Sequence, residues 1–484
     1  MKIQIRYVFT FFLAMFSFNK AQEVPNEFFI FKKNKIERKF EGIFKLTTLG
    51  PIRFNNLLNY KPGNDSLKIK TRFGFLNHTK NTLNNTAYYG FGHISFKRYY
   101  YAYVYARIIN NYNNLFPRYT GKERYYGRSG ETDISGIGYQ NDWIIFQWGR
   151  GRQDWSAGEN IQLVLSENSP SYDYGMIGLN FGSIKTRYFH GYLERINDYN
   201  RYITGRAIEW SNNRYFVLSI SEIIIYSGEN RPLDIAYLNP ISTHLEIEMN
   251  ERQNEGGFNS GNGVWQVSAD IILPFDLRLS SNFLYDEYTI DKDHSQEQGQ
   301  GDSKAFSIRA EYPVSKKSQK GGEGYSKNEN YSKSVNGIFS KSDLFFYVDY
   351  IMVGTHTLRH MQGYNNFVQR GYPLGWSNGS DGEQIRLGFN LSINNLFFVS
   401  NIGAKRLGER RITDRPYEPY YNFSIINFPS GKVLDSKFLN FNLEWWWKKN
   451  LSIGAGYEWF SNKEIGENYF FLSFDFYLPT NLYL

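Results

Sequence analysis

The chain has 484 residues and carries 10 Trp, 39 Tyr and 40 Phe, yet its mean hydropathy is −0.52. This composition excludes a disordered chain, which lacks aromatic side chains to bury, and a helical membrane protein, because past the first 20 residues no uncharged apolar run reaches the roughly 18 residues of a spanning helix. The absence of cysteine excludes disulfide scaffolds and thiol catalysis, and the net charge of +8 is spread among acidic residues without a nucleic-acid motif, so we expect no nucleic-acid partner.

Residues 1–21 are predicted to form a secretory signal peptide. Lys2 and Arg6 give a positive start, residues 7–18 form an apolar stretch too short to span a membrane, and Ala21 offers a small residue for cleavage. Removal of the signal peptide leaves 52 basic and 47 acidic residues. An exported chain of this kind is either soluble outside the cytoplasm or inserted as a β-barrel. We assign residues 22–60 to an N-terminal periplasmic segment or first strand, and residues 61–484 to a barrel.

Apolar and polar residues alternate with a period of two along much of the chain. The alternation is clearest over residues 99–108, 265–273, 385–393, 439–447 and 469–478. In a membrane barrel successive side chains point to lipid and to lumen in turn, and Tyr and Trp gather at the two membrane interfaces. Asn394-Asn395 is typical of a tight hairpin after one of these strands.

The last of these segments shows the pattern best. Phe470, Leu472, Phe474, Phe476 and Leu478 form one face of it. A terminal strand of this aromatic kind suits recognition by barrel-insertion machinery.

A soluble propeller or sandwich also alternates, but its packed core would not tolerate the Asp, Glu, Arg and Asn that lie opposite these apolar faces. We therefore predict an all-β fold, a transmembrane outer-membrane β-barrel. At ~10 residues for each strand and about as many for each connection, the chain allows about 18 antiparallel strands.

Two features do not fit a regular barrel. The polar segments 291–304 and 315–337 read as loops that leave opposite sides of one strand, although barrels usually have long loops on one side only. Either a strand is misassigned or one turn carries an insertion. Glu222 falls on the apolar phase of its strand, and a β-bulge there would restore the alternation.

The sequence lacks the catalytic motifs of known enzymes. Ser377 lies in a Ser-Asn-Gly sequence similar to that of outer-membrane phospholipase A, but Gly375 stands where that family has its base, so the serine is not activated. Asp286 and Glu287 are consecutive in a strand and face opposite sides. His356 and His360 lie beyond a strand, in a loop or strand edge. We expect no enzyme, no metal and no cofactor.

Four stretches in order resemble the Wzi-type capsule assembly family of outer-membrane barrels. They lie at residues 148–155 with 163–170, 221–226 with 237–240, 284–288, and 371–379. In the last stretch relatives often have Gly-x-x-Leu-Gly-His, whereas this chain has Trp376 in place of the His.

The resemblance implies a barrel of about 18 strands that acts as a non-catalytic surface lectin and helps attach capsular or exopolysaccharide. By position it indicates the following candidate contacts: Arg150, Arg152, Asp154, Trp155, Glu222, Asn239, Asp286 and Trp376. The alternative reading of these stretches is structural. Gly149, Gly151, Asn239 and Pro240 would form turns, and Glu222 and Asp286 would pair with Arg inside the lumen.

Two other functions stay open on sequence grounds: a transport channel for solutes or sugars, and an accessory barrel for surface adhesion or gliding motility. The net positive charge favours an acidic polysaccharide as partner. The other expected partners are outer-membrane lipid and the insertion machinery. We expect a monomer in the outer membrane, exported by its signal peptide.

Overall fold

The computed structural model describes residues 47–50, 67–81, 83–97, 99–110, 123–125, 127–212, 214–254, 261–287, 303–314, 342–419, 427–462 and 466–483. The predicted signal peptide, most of residues 22–60 and the predicted loops at 291–302 and 315–337 lie outside these ranges. In the described part of the chain, no helix has the length and apolar character needed to cross a membrane.

The fold is a closed barrel of 18 antiparallel strands, which confirms the prediction of fold and strand number. The strands are β1 (Lys68–Lys80), β2 (Leu83–Phe96), β3 (Tyr100–Asn110), β4 (Arg128–Gln140), β5 (Ile144–Gly151), β6 (Tyr172–Asn180), β7 (Ile184–Ile196), β8 (Tyr199–Ser211), β9 (Phe216–Glu229), β10 (Asn262–Ile272), β11 (Arg278–Glu287), β12 (Ser303–Pro313), β13 (Ser342–Val353), β14 (Gly382–Ile393), β15 (Leu396–Leu407), β16 (Leu434–Lys448), β17 (Leu451–Asn462) and β18 (Gly466–Tyr483). Each strand pairs with the next, and β18 pairs with β1 to close the cylinder.

Inner and outer faces alternate as the sequence predicts. On β18, Phe470 and Leu472 are 64% and 62% exposed on the lipid-facing side. On β3, Tyr101, Tyr103 and Tyr105 are buried on the lumen side. The period of two therefore identifies both the strands and the face that each residue occupies.

The two ends of the barrel differ. At the end where β1 starts and β18 finishes, most connections are short, as at residues 97–99, 141–143, 181–183, 394–395 and 449–450; we call this the turn end. Several long connections leave the opposite end, which we call the loop end. Bacterial barrels turn short connections to the periplasm, so we expect the loop end to face the outside of the cell.

The strand between the two predicted polar loops is real. It is β12, and it begins at Ser303, so the predicted loop 291–304 ends two residues too late. Since β12 crosses the wall once, its flanking connections leave opposite ends, and the insertion is carried by the turn-end connection 314–341.

Connections that leave the loop end fold back into the lumen and form a plug. Its parts are residues 152–171 and 354–381, with the connection 408–419 packed on them. The wall side chains Gln266 and Asn282 donate to the backbone oxygens of Trp155 (2.7 Å) and Ala157 (2.9 Å), respectively. The buried core of the barrel is shared between wall and plug and includes Trp155, Ile161, Leu163, Phe367, Leu374, Trp376, Ile203, Ile223 and Ile351.

The two main plug segments touch backbone to backbone. Ser166 donates two hydrogen bonds here: its N–H to the carbonyl of Leu374 at 2.8 Å, and its hydroxyl to the carbonyl of Gly375 at 2.7 Å. A Cβ at Gly375 would lie 1.9 Å from the carbonyl oxygen of Leu163. Only glycine permits this approach, so the sequence Leu-Gly-Trp here is a packing requirement of the plug.

A second element covers the outside of the barrel. Residues 230–254, which we call the outer-wall cap, contain a 3-10 turn (Ala236–Leu238) and a short helix, α1 (His244–Met249). They pack on the outward face of β8 and β9, where Tyr226 stacks on Tyr237 at 4.3 Å. The predicted bulge at Glu222 is wrong: β9 pairs with both neighbours in unbroken register, and Glu222 faces outward beneath this cap.

Candidate functional site

One buried arginine fastens the plug to the wall. Arg201 on β8 is fully buried and points into the lumen. It donates to three plug carbonyls, those of Tyr364 (2.5 Å), Asn366 (2.7 Å) and Val368 (3.0 Å). Its charge is balanced by Glu194 on β7, 2.5 Å away. The segment at residues 363–368 is thus held in one place by the wall.

A second arginine fastens the plug segments to each other. Arg359 is fully buried and donates to the carbonyls of Arg410, Arg415 (3.3 Å) and Glu418 (3.2 Å). Burial lowers the pKa of Arg359 to about 10, so the guanidinium stays charged at neutral pH. Asp381 adds a further tie, because its carboxylate accepts from the N–H of Arg410 at 2.9 Å.

An ion network lines the wall beneath the first plug segment. Asp349 accepts from Arg309 at 3.1 Å and from Arg386 at 2.9 Å. The same two arginines donate to the backbone carbonyls of Glu159 (3.4 Å) and Asn160 (3.3 Å). Buried charges are tolerated only with partners of this kind. In this region, therefore, the charged side chains that face the lumen bind the backbone of the plug.

The histidine pair of the sequence lies in the plug rather than at a metal site. His360 is buried, and its Nδ1 accepts the N–H of Gln362 at 3.1 Å. Burial lowers the pKa of His360 to about 4 and also lowers the pKa of His356. Among the described residues, no group of three or more His, Cys, Asp or Glu is placed to hold a metal ion.

The plug is expected to loosen in acid through His360. Its pKa is 6.5 in a solvated chain and about 4 in the packed plug, so the released segment binds the proton more readily between these values. Stability of the packed plug should therefore fall as pH drops from 6.5 towards 4, by about 3 kcal/mol in total. Hydrogen exchange of residues 354–381, corrected for intrinsic rates, measures this. His360→Gln should reduce this pH dependence, with a remainder from His356, whose pKa is also lowered by burial, and an unchanged profile in this variant would contradict the assignment.

Three tyrosines meet at the outer mouth of the barrel. Tyr199 on β8 stacks on Tyr364 of the plug, with ring centroids 4.2 Å apart and planes at 22°. The ring centroid of Tyr417 lies 6.1 Å from that of Tyr364, with the planes at 38°, and the Tyr417 hydroxyl donates to Glu194 at 2.8 Å. All three rings are half-buried. They form an aromatic surface, fixed from below by the plug and open at the loop end.

Polar groups flank these rings. Asn197 donates to the hydroxyl of Tyr364 at 3.2 Å. Arg195, 52% exposed, lies on the outward face of the same hairpin, because its register partner is Asn200, and it bridges Asp198 and Asn230, both at 2.8 Å. We call Tyr199, Tyr364, Tyr417 and Asn197 the mouth cluster. Aromatic rings beside an amide are groups that stack on sugar faces and hydrogen-bond sugar hydroxyls.

The predicted site residues do not form one site. Trp155 and Trp376 are buried in the plug core, where Trp155 packs edge-on against Phe189 at 5.0 Å. Asp286 lies on the lumen side of β11 and accepts the backbone N–H of Leu358 in the plug. These three residues come together as packing and anchoring groups of the plug.

The predicted site residues Arg150, Arg152 and Asp154 lie at the loop end of β5 or just beyond it. Arg150 sits between Asp173 (3.3 Å) and Glu131 (3.7 Å). Arg152 pairs with Asp133 and donates to the carbonyl of Ser169 at 2.6 Å. Asp154 belongs to a short strand, Asp154–Trp155, which pairs with Leu49–Gly50.

Gly149 and Gly151 are strand residues, so the prediction that they form a turn is wrong. A Cβ at Gly149 would lie 2.2 Å from the carbonyl of Ser135 on the neighbouring strand, and this close approach explains the glycine.

Glu222 and Asn239 lie outside the barrel. Glu222 accepts from His244 of α1 at 2.7 Å and faces Arg206 at 3.3 Å. The pairing with an arginine is as predicted, but it is on the outer wall and not in the lumen. Asn239 forms a turn, as predicted, with its side-chain oxygen accepting the N–H of Ile241 at 3.0 Å.

Little in the sequence indicates the mouth cluster. Tyr199 follows Asn197-Asp198, the only two residues between β7 and β8, and an Asn-Asp pair between alternating strands is a hairpin signal that could have placed it at a barrel end. Tyr364 and Tyr417 come from plug connections without a periodic pattern. Their meeting depends on how the plug folds inward.

No protein-family model matches the chain, and no curated protein matches it. Among solved structures the chain is similar to Wzi of Escherichia coli, an outer-membrane protein involved in group 1 capsule assembly and a carbohydrate-binding β-barrel, with 10% identity, a TM-score of 0.58, and coverage of 96% of this chain and 100% of that chain. It is also similar to OprD of Pseudomonas aeruginosa (8% identity, TM-score 0.46, covering 87% and 97%) and to OpdK of the same organism with vanillate (7%, 0.47, 86% and 99%). At these identities the likeness to Wzi establishes an outer-membrane barrel fold.

Proposed function

We propose that this protein is a non-catalytic outer-membrane barrel of the Wzi-type capsule assembly family that holds an acidic capsular or exopolysaccharide at its mouth cluster. The observation that carries the proposal is the group of three half-buried tyrosines at the loop end of a hydrogen-bonded plug. The likeness to the carbohydrate-binding barrel Wzi supports the same class of ligand.

The geometry of the mouth cluster fits a sugar chain that lies across the barrel rather than one that passes through it. Tyr199 and Tyr364 are held by a ring stack and by Asn197, so little side-chain entropy remains to be lost on binding. The net positive charge of the chain favours an acidic sugar. Because salt screens attraction between exposed charges, binding should weaken as salt rises.

The eight residues named from the sequence take different parts in this proposal. We infer that Arg150 lies within reach of a bound polysaccharide at the loop end. The others act at a distance from it. We infer that Arg152, Asp154, Trp155, Asp286 and Trp376 build the plug, and that Glu222 and Asn239 build the outer-wall cap.

Replacing the stacked rings should weaken polysaccharide binding without affecting the barrel. For Tyr364→Ala we expect roughly tenfold weaker binding, since one lost aromatic contact is worth about 1.4 kcal/mol. The measurement is a pull-down of anionic polysaccharide by the detergent-solubilised protein at low and high salt. The matched control is Tyr215→Ala, an exposed tyrosine at the turn end. Equal loss in both variants, or none in either, would rule out the mouth cluster as the binding surface.

A further inference from the structure

The outer-wall cap shields a polar patch on a wall that otherwise faces lipid. Arg206 and Glu222 are directly opposite one another on β8 and β9, and both point outward. His244 of α1 closes over them, with Nδ1 2.7 Å from Glu222, and each of the three side chains is at most 11% exposed. A charged pair at this position would be costly against acyl chains. The cap replaces lipid as its neighbour.

The level of the cap in the membrane follows from the strand register. The outward row next to Glu222 on the turn-end side runs through Ile208, Ile220 and Val267, all about half exposed to lipid. The row of Glu222 itself continues into Trp265 and Tyr285 on β10 and β11. Trp and Tyr at the border of an apolar band mark the membrane interface. The cap therefore lies at the interface of the outer leaflet.

The outer surface of the cap is apolar. Ile235, Ile241, Leu245 and Met249 are 80%, 86%, 52% and 80% exposed. Leu245 and Met249 are one helical turn apart on α1, opposite the buried Ile247. Exposed apolar patches of this kind mark membrane or protein interaction sites. This patch directly continues the lipid-facing wall beneath it.

The exposure of these side chains is fixed by the fold of the cap. Thr243 caps α1 by accepting the N–H of Glu246, and Arg252 pairs with Glu246 at 2.5 Å. Tyr237 donates to Glu248 at 3.0 Å and joins the 3-10 turn to the helix. These bonds fix the fold of the cap itself, and the contacts of His244 with Glu222 and of Tyr237 with Tyr226 hold it on the wall, so its apolar side chains cannot turn inward.

We propose that the outer-wall cap binds the outer leaflet of the membrane, with Ile235, Ile241, Leu245 and Met249 inserted at the boundary between acyl chains and headgroups. The exposed Glu246–Arg252 pair at its edge then lies at headgroup level, where charges remain solvated. The cap would fix the depth and rotation of the barrel in the outer leaflet. This inference is independent of the proposed polysaccharide role.

The absence of cysteine in the chain permits a direct test. Single variants Ile241→Cys and Met249→Cys of the full chain, labelled with a fluorophore and reconstituted in phosphatidylcholine vesicles, are quenched either by doxyl groups on the acyl chains or by aqueous iodide. Ile220→Cys on the lipid-facing wall is the matched positive control, and Ser377→Cys, exposed in the plug connection, is the aqueous control.

We expect the two cap labels to lose more than about half of their fluorescence to doxyl lipid, as the Ile220→Cys label does, and to resist iodide. Quenching by iodide alone would place the cap in water and overturn the inference. Protection from both quenchers would show that protein covers the cap, and it would overturn the inference equally.

Discussion

Arg201→Ala is expected to release the plug while the barrel stays closed. The substitution removes three hydrogen bonds to the plug backbone and leaves Glu194 without its arginine in a buried setting. Breaking one side of a buried ion pair costs about 3–5 kcal/mol. The strands keep their ladders because Arg201 reaches the plug through its side chain only. The loss should therefore fall on residues 363–369.

Hydrogen exchange and limited proteolysis of this segment measure the effect. The matched control is Arg406→Ala, which removes an arginine that is half exposed and pairs with Glu383 at 2.7 Å. An exposed pair of this kind is worth about 0–1 kcal/mol, so the control should leave the plug intact. Unchanged protection of residues 363–369 in Arg201→Ala would show that the plug is held by other contacts.

Removing plug segments is expected to turn a barrel whose lumen is blocked by the plug into one that conducts ions. Val353 and Gly382 are register partners at the ends of β13 and β14, so a tight turn can replace residues 355–380 without straining the wall. Barrels of 16–18 strands leave an aqueous channel when their lumen is free. Shortening residues 156–170 in the same variant removes the other inward segment.

Planar bilayer recordings give the outcome. Wild-type protein should show no steady conductance, and the doubly shortened variant should show large, stable steps. If the wild type conducts like its shortened variant, the lumen is open and the protein belongs with transport barrels. Arg406→Ala serves again as the control, because its barrel and plug should both remain as in the wild type.

Most of the wall could be predicted from the sequence. The period of two in residues 385–393 and 439–447 follows from the pleat of the strand, which sends neighbouring side chains to opposite faces. Asn394-Asn395 forms the tight turn expected of it. These features depend on residues that are near one another in the chain, so a single sequence contains the information.

The exceptions have a common physical cause, which is polypeptide that packs back on the wall. Glu222 breaks the apolar phase because the cap, and not lipid, lies against it. The predicted β-bulge would have explained Glu222 within its own strand. The actual cause is a contact with a separate segment, the outer-wall cap. Asp286 is likewise polar because a plug backbone group needs its oxygen.

The candidate site was harder to predict than the wall for the same reason. Tyr199, Tyr364 and Tyr417 come from three separate parts of the chain and meet only because Arg201 and Arg359 fix the plug. No spacing in the sequence expresses that contact. The motif residues near 148–155 and 371–379 instead mark where strands and plug segments approach closely.

The most direct test of the account is the fate of surface polysaccharide in cells that lack this protein. We predict that the deletion strain loses cell-attached polysaccharide and releases it into the medium, and that the wild-type gene restores attachment while a Tyr199→Ala, Tyr364→Ala double variant does not. Full retention of the polysaccharide on deletion cells, with loss of surface movement or of solute uptake, would contradict the account.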